Sequence, residues 1–194
     1  MTRTAFALAI SASILALGAC NQSETAGQAN TAQTGEAEKA AGDKTIAASL
    51  DQNSRFFQAM KAAGLDSTLA GPGPYTVLAP DDAAFGKLPE GEADNLMKPE
   101  SKAQLTSLLT YHILPGTVLA EDIAKAVDNG KGKAVLATMG GGTLTATKDG
   151  DKIVLTDGKG GKSTITKADE QYSNGVVHHL DTVLAPAEEV PPAA

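Results

Sequence analysis

Apolar residues change their spacing three times along this chain, and the changes mark its segments. Ala5 to Leu17 is an apolar run broken only by Ser11 and Ser13. Asn21 to Lys44 then contains no Val, Ile, Leu, Met, Phe or Tyr, so it buries too little apolar surface to offset the entropy of ordering. From Thr45 onward the spacing is helical. Asn53 or Ser54 caps a predicted helix that carries Phe56, Phe57, Met60 and Ala63 on one side, and Gly64 supplies a left-handed stop. Leu65 and Leu69 begin a short turn ended by Gly71-Pro72-Gly73-Pro74. Tyr75 to Ala79 is an apolar strand closed by Pro80, and Asp81-Asp82 then forms the acidic start of a helix through Ala83-Ala84-Phe85. Pro99 opens a further helix with Leu105, Leu108, Leu109 and His112 on one stripe. Asp122 to Val127 predicts another, stopped by Asn129-Gly130. After that the period becomes alternating. Thr143 to Thr147 and Lys152 to Thr156 flank Asp149-Gly150 as a hairpin, and Lys162 to Thr166 and Gly175 to Leu184 complete the strands. Helices early and strands late predict the α+β class, in one domain from Thr45 to Pro186. Residues 187–194 form a short tail, and there is no internal repeat.

Composition narrows the function classes. The net charge of -7 and the lack of any Lys/Arg cluster argue against a nucleic-acid partner. A single cysteine excludes a disulfide-stapled module and a zinc ribbon. With no Trp, four Phe and three Tyr, the core is aliphatic and offers few stacking platforms. Arg3 and the apolar run that follows read as a secretory signal over residues 1–19, too short to span a bilayer comfortably. Its end, Leu17-Gly18-Ala19-Cys20, resembles the lipobox of bacterial lipoproteins. That resemblance implies cleavage before Cys20, a diacylglycerol on its thiol, and, with Asn21 next, an outer-membrane anchor. Asn21 to Lys44 is then a flexible tether with a reach of roughly 25–30 Å.

Three segments carry a further resemblance. Thr76-Val77-Leu78-Ala79-Pro80-Asp81-Asp82-Ala83-Ala84-Phe85 is similar to the first signature of the fasciclin (FAS1) domain family. Tyr111-His112, followed by Ile113-Leu114-Pro115-Gly116, resembles its Tyr-His motif. Ser173-Asn174-Gly175-Val176-Val177-His178-His179-Leu180-Asp181-Thr182-Val183-Leu184-Ala185-Pro186 resembles its second signature. The match in this order, over Thr45 to Pro186, implies a β-wedge with a cap of short helices, used in adhesion and surface or matrix interaction. Two positions depart from the pattern. His179 stands where the family carries a small aliphatic residue, and Glu170 replaces the Ile of the Asp-Ile pair that serves integrin binding in animal members, although Asp169 matches the Asp.

The residues singled out as motif or binding positions are Tyr111, His112, Asn174, Gly175, His178 and Asp181, with Cys20 for lipidation. His112 continues an apolar stripe, so its ring is expected in the core, with Asp181 as the better hydrogen-bond acceptor from the second signature and His178 as the other candidate. Strand alternation sends Val176, His178 and Leu180 to one face and Val177, His179 and Asp181 to the other, so the paired histidines do not share a metal; His179 is expected near the surface. Asn174-Gly175 reads as a turn set by permissive backbone angles. Gly140-Gly141-Gly142 lacks the Lys-Ser/Thr and helix of a phosphate loop, and no Gly-x-Ser-x-Gly elbow occurs. Asp81-Asp82 and Glu121-Asp122 read as helix starts and not as calcium ligands. These readings give no catalytic residue, no cofactor and no metal. They lead to a lipid-anchored binding module with a surface protein or polysaccharide partner; the alternative is a carrier of an apolar molecule such as a carotenoid.

Overall fold

A computed structural model describes residues 43–187. The signal, Cys20, the tether up to residue 42 and the tail from residue 188 lie outside the described residues. Lys44 is inside them, and its carbonyl accepts the Ser173 N–H at 3.0 Å.

Short helices come first. They are α1 (Ile46–Ser49), α2 (Arg55–Ala63) and α3 (Asp66–Ala70). Ser54 caps α2, its hydroxyl accepting the Phe57 N–H, and Gly64 ends the helix in the left-handed region at φ 80°. Strand β1 (Tyr75–Pro80) leads into α4 (Asp82–Phe85) and α5 (Glu92–Leu96). Asp82 does more than start its own helix, because its Oδ1 accepts the Arg55 N–H of α2 at 2.9 Å. A 3₁₀ turn at Pro99–Ser101 opens α6 (Lys102–Tyr111), β2 (Ile113–Pro115) follows, and then α7 (Ala120–Asn129). Four strands succeed it: β3 (Ala134–Ala137), β4 (Thr143–Asp149), β5 (Lys152–Thr156) and β6 (Lys162–Tyr172). β7 (Gly175–Leu180) is the last element among the described residues.

The strands lie in the order β2-β1-β7-β6-β5-β4-β3. β1 pairs with β7 in parallel, Val77 opposite Val177 and Leu78 opposite His178, and the other pairings are antiparallel. The two end strands approach each other, since the Met139 N–H just beyond β3 donates to the Ile113 carbonyl of β2 at 2.8 Å.

β1 and β7 are buried on both faces apart from Tyr75 and His179, so β1 reads as a nearly continuous apolar run, while β7 places His178 and His179 among its apolar residues. The two strands stand as a wall between two cores. One side holds Val77 and Val177 with Ile46, Phe56, Met60, Leu69, Leu105 and Leu109 from the helices. The other holds Leu78 and Leu180 with Ile123 and Val127 of α7 and Leu144, Leu155 and Ile165 of the hairpins.

The α+β class and the helices near Phe56, Leu105 and Ile123 match the reading of the sequence. Other details differ. The helices α1 and α5 and the strands β2 and β3 are additional, β6 continues past Thr166 to Tyr172, and β7 stops at Leu180 although Leu184 is fully buried beyond it. His112 lies just outside α6 as its C-terminal cap residue.

Candidate functional site

The signature residues gather around the two ends of β7. At the first end, Asn174 is buried and acts through its side chain. Its Oδ1 accepts the Ile46 N–H at 2.8 Å, while its Nδ2 donates to the carbonyls of Leu69 (2.7 Å) and Gly71 (2.9 Å). It thus ties the start of α1 and the end of α3 to the sheet, a role that a turn reading of Asn174-Gly175 misses. Gly175 does need its backbone freedom. Its φ is 151°, and a Cβ there would lie 1.9 Å from the Tyr75 carbonyl oxygen.

Tyr111 and His112 sit between α6 and the C-terminal segment. The Tyr111 hydroxyl donates to the Thr143 carbonyl at 2.8 Å and accepts the Gly158 N–H at 3.3 Å. Burial raises its pKa, so the phenol keeps its proton. Gly142 leaves the space for this ring, because a Cβ there would be 2.5 Å from Tyr111 Cε2. His112 Nδ1 donates to the Leu108 carbonyl at 2.8 Å, and its Nε2 accepts the Leu184 N–H at 3.1 Å. The ring is therefore neutral and carries its proton on Nδ1. Burial lowers its pKa to about 4, against weaker support for the charged form from the Leu108 carbonyl and Asp157.

The expected acceptors for His112 are thus corrected. Its partners are backbone groups, and neither Asp181 nor His178 bonds to it. Asp181 turns to the β6 start, where its Oδ1 accepts from the Thr164 N–H (2.8 Å) and from the hydroxyls of Ser163 and Thr182. Burial alone would raise its pKa. The Thr164 N–H, the Thr182 hydroxyl, the Lys87 charge and the Ser163 hydroxyl outweigh that and hold it below the usual carboxylate value.

The other end of β7 faces an irregular stretch of β6. Lys167 is opposite His179 and Glu170 opposite Val177, so His178 alone opposes both Ala168 and Asp169. Asp169 has φ 61°, a left-handed conformation that is uncommon outside glycine. His178 is fully buried and contacts this bulge on one face, while His179, with 27% of its side chain exposed, reaches Asp81 and Glu170 on the other. The opposite facing expected from alternation is what the structure has. His179 is not an exposed position, however, because carboxylates engage both of its ring nitrogens. Asp157 is a further polar hub that the sequence reading does not single out. Its carboxylate accepts from the Lys159, Gly161 and Ala185 N–H groups, and the Asp-Gly-Lys-Gly-Gly run is the turn signal that marks it. A cavity of about 180 Å³ lies apart from these residues, lined by Arg55, Ala59, Phe85, Leu96, Met97 and Leu105.

Among the described residues, no helix is long and apolar enough to cross a membrane, and no group of His, Cys, Asp and Glu has metal-binding geometry.

The sequence model of the Fasciclin domain matches residues 51–186. Protein sll1483 of Synechocystis sp. is 38% identical over 142 residues, covering 73% of this chain and 71% of that protein. The transforming growth factor-beta-induced protein ig-h3 of Sus scrofa is 35% identical over 129 residues, 66% of this chain but only 17% of that much longer protein. Among solved structures, a FAS1 domain pair from the insect cell adhesion molecule fasciclin I superposes with a TM-score of 0.64 at 17% identity, covering 76% of this chain and 52% of that one. With its signature segments forming the parallel pair β1–β7 and the ties around it, this chain belongs to the fasciclin domain family.

Proposed function

We propose that this protein is a lipid-anchored adhesion module of a bacterial cell envelope, whose fasciclin domain holds a surface protein or a matrix polysaccharide. One observation carries the reading beyond family membership. The polar side chains of the signature segments bond the chain's own backbone: Tyr111 to Thr143, His112 to Leu184, and Asn174 to Ile46 and Leu69. Such residues build a rigid frame, and a rigid frame that presents loops is suited to recognition. The related fold in an insect cell adhesion molecule supports the same use. Cys20 carries the lipid, and the tether lets the domain reach away from the outer membrane. The cavity beside Arg55 and Phe85 does not favour the carrier reading, because its volume of about 180 Å³ is below the roughly 300–1,000 Å³ usual for small-molecule pockets.

Two measurements test the proposal. In cells given an alkynyl fatty acid, the parent should take up label and Cys20→Ser should not; equal labelling rejects the anchor. Beads coated with the purified full chain should retain whole cells or isolated matrix polysaccharide several-fold above beads carrying an unrelated acidic protein. Retention at the control level rejects adhesion.

A further inference from the structure

Two adjacent histidines hold the β6 bulge, and their bonds require opposite protonation states. His178 Nδ1 accepts the Asp169 N–H at 3.2 Å, so it carries no proton. Its Nε2 lies 2.8 Å from the Val118 carbonyl, which only accepts, so that nitrogen carries one. The ring is neutral. His179 places Nδ1 3.0 Å from Asp81 Oδ1 and Nε2 2.7 Å from Glu170 Oε2. Ionised carboxylates accept and do not donate, so both nitrogens are protonated and the ring is an imidazolium.

The surrounding charges are consistent with this division. His178 faces the Asp169 carboxylate at 3.9 Å, the Val118 carbonyl ahead of α7, and its neighbour His179. Burial lowers its pKa, and the Val118 bond and the Asp169 charge only oppose that. His179 faces Asp81 from the β1–α4 junction and Glu170 from β6. Lys167 pairs with Glu170, Tyr172 also bonds that carboxylate, and the Thr166 hydroxyl donates to Asp81. Burial would raise the Glu170 pKa, but Lys167 and His179 outweigh it and hold the group below its usual value.

We propose that His178 and His179 form a two-sided clamp on the β6 bulge, His178 as a neutral ring and His179 bridging two carboxylates, and that the clamp opens on the acid side. On the acid side, a proton on His178 Nδ1 meets the Asp169 N–H and ends that bond. The Asp169 carboxylate, 3.9 Å away, is the acceptor at hand, but its Oδ1 already holds the Ala120 N–H at the start of α7. The lost bond frees the Asp169 peptide, which sits at a left-handed φ of 61°, beside the carboxylate that holds the start of α7. The segment Thr166–Glu170 is then released on its His178 face, while His179 still holds the other. The clamp is a property of the fold and does not depend on the adhesion reading.

Nitrogen-15 spectra of the histidine rings in the full chain test this directly, from about pH 4 to about pH 9. The expected result near neutrality is one ring as the Nε2–H tautomer and another doubly protonated. Amide-exchange protection of Asp169, corrected for the intrinsic rate at each pH, should fall about tenfold on the acid side of neutrality. His179→Lys keeps a cation between Asp81 and Glu170, so it should leave the acid fall in place. Three results each overturn the clamp: His178 and His179 sharing one protonation state near neutrality, flat protection, or loss of the acid fall in His179→Lys. The parent's ring spectra decide the matter even if the variant does not fold.

Discussion

His112 finishes a helix with one ring nitrogen and anchors the C-terminal segment with the other. Removing it leaves a cavity, an uncapped Leu108 carbonyl and an orphaned Leu184 N–H, all inside the core. His112→Ala should cost about 2–4 kcal/mol in urea unfolding, and a variant as stable as the parent would contradict the role assigned here. The same ring sets a pH dependence. Unfolded, it titrates near its ordinary 6.5; folded, at about 4, so the unfolded chain binds more protons between these values. Its contribution is complete above about pH 6.5, declines as the pH falls, and is gone below about pH 4, a loss on the order of 3 kcal/mol. Stability curves of the parent and of His112→Gln over this range should separate by the missing slope. The sequence disclosed that His112 faces inward, because the ring extends the stripe of Leu105, Leu108 and Leu109. Its partners were not legible, since a backbone N–H at Leu184 looks like any other in a sequence.

Among the elements, the long and regular ones were readable and the short or irregular ones were not. β1 is an apolar run, β7 carries apolar residues on both sides of its histidine pair, and the β4–β5 hairpin alternates around Asp149-Gly150. β2 has three residues and β3 four, too few to display a period. In β6 the bulge breaks the alternation after Ile165, so a pattern-based reading ends where the strand continues. The entry to β7 allows a test at this scale. Gly175→Ala combines a left-handed φ with a Cβ placed on the Tyr75 carbonyl, whereas Gly150, at φ 60°, has nothing within 4 Å. Gly175→Ala should cost at least about 2 kcal/mol and Gly150→Ala about 1 kcal/mol. Equal denaturation midpoints for the two variants would show that the close approach at Gly175 is easily relieved.

For the molecule as a whole, the order of strands matters more than their number. The α+β class was evident from helices preceding strands, and the signatures pointed to the family's wedge. The parallel contact between β1 and β7 lay beyond any periodicity argument, because no local pattern specifies which distant strand a strand will join. That contact has a consequence in time. Tyr75 pairs with Gly175, so the wall separating the two cores stays open until nearly the whole domain has been synthesised. Closing so long a loop late favours slow folding, and the partial chain keeps unpaired strand edges. A chain ending at Ser173 should therefore show no cooperative unfolding transition, and a sharp one would refute this. Until Gly175 to Leu180 emerge, the two cores of the nascent domain lie open to one another.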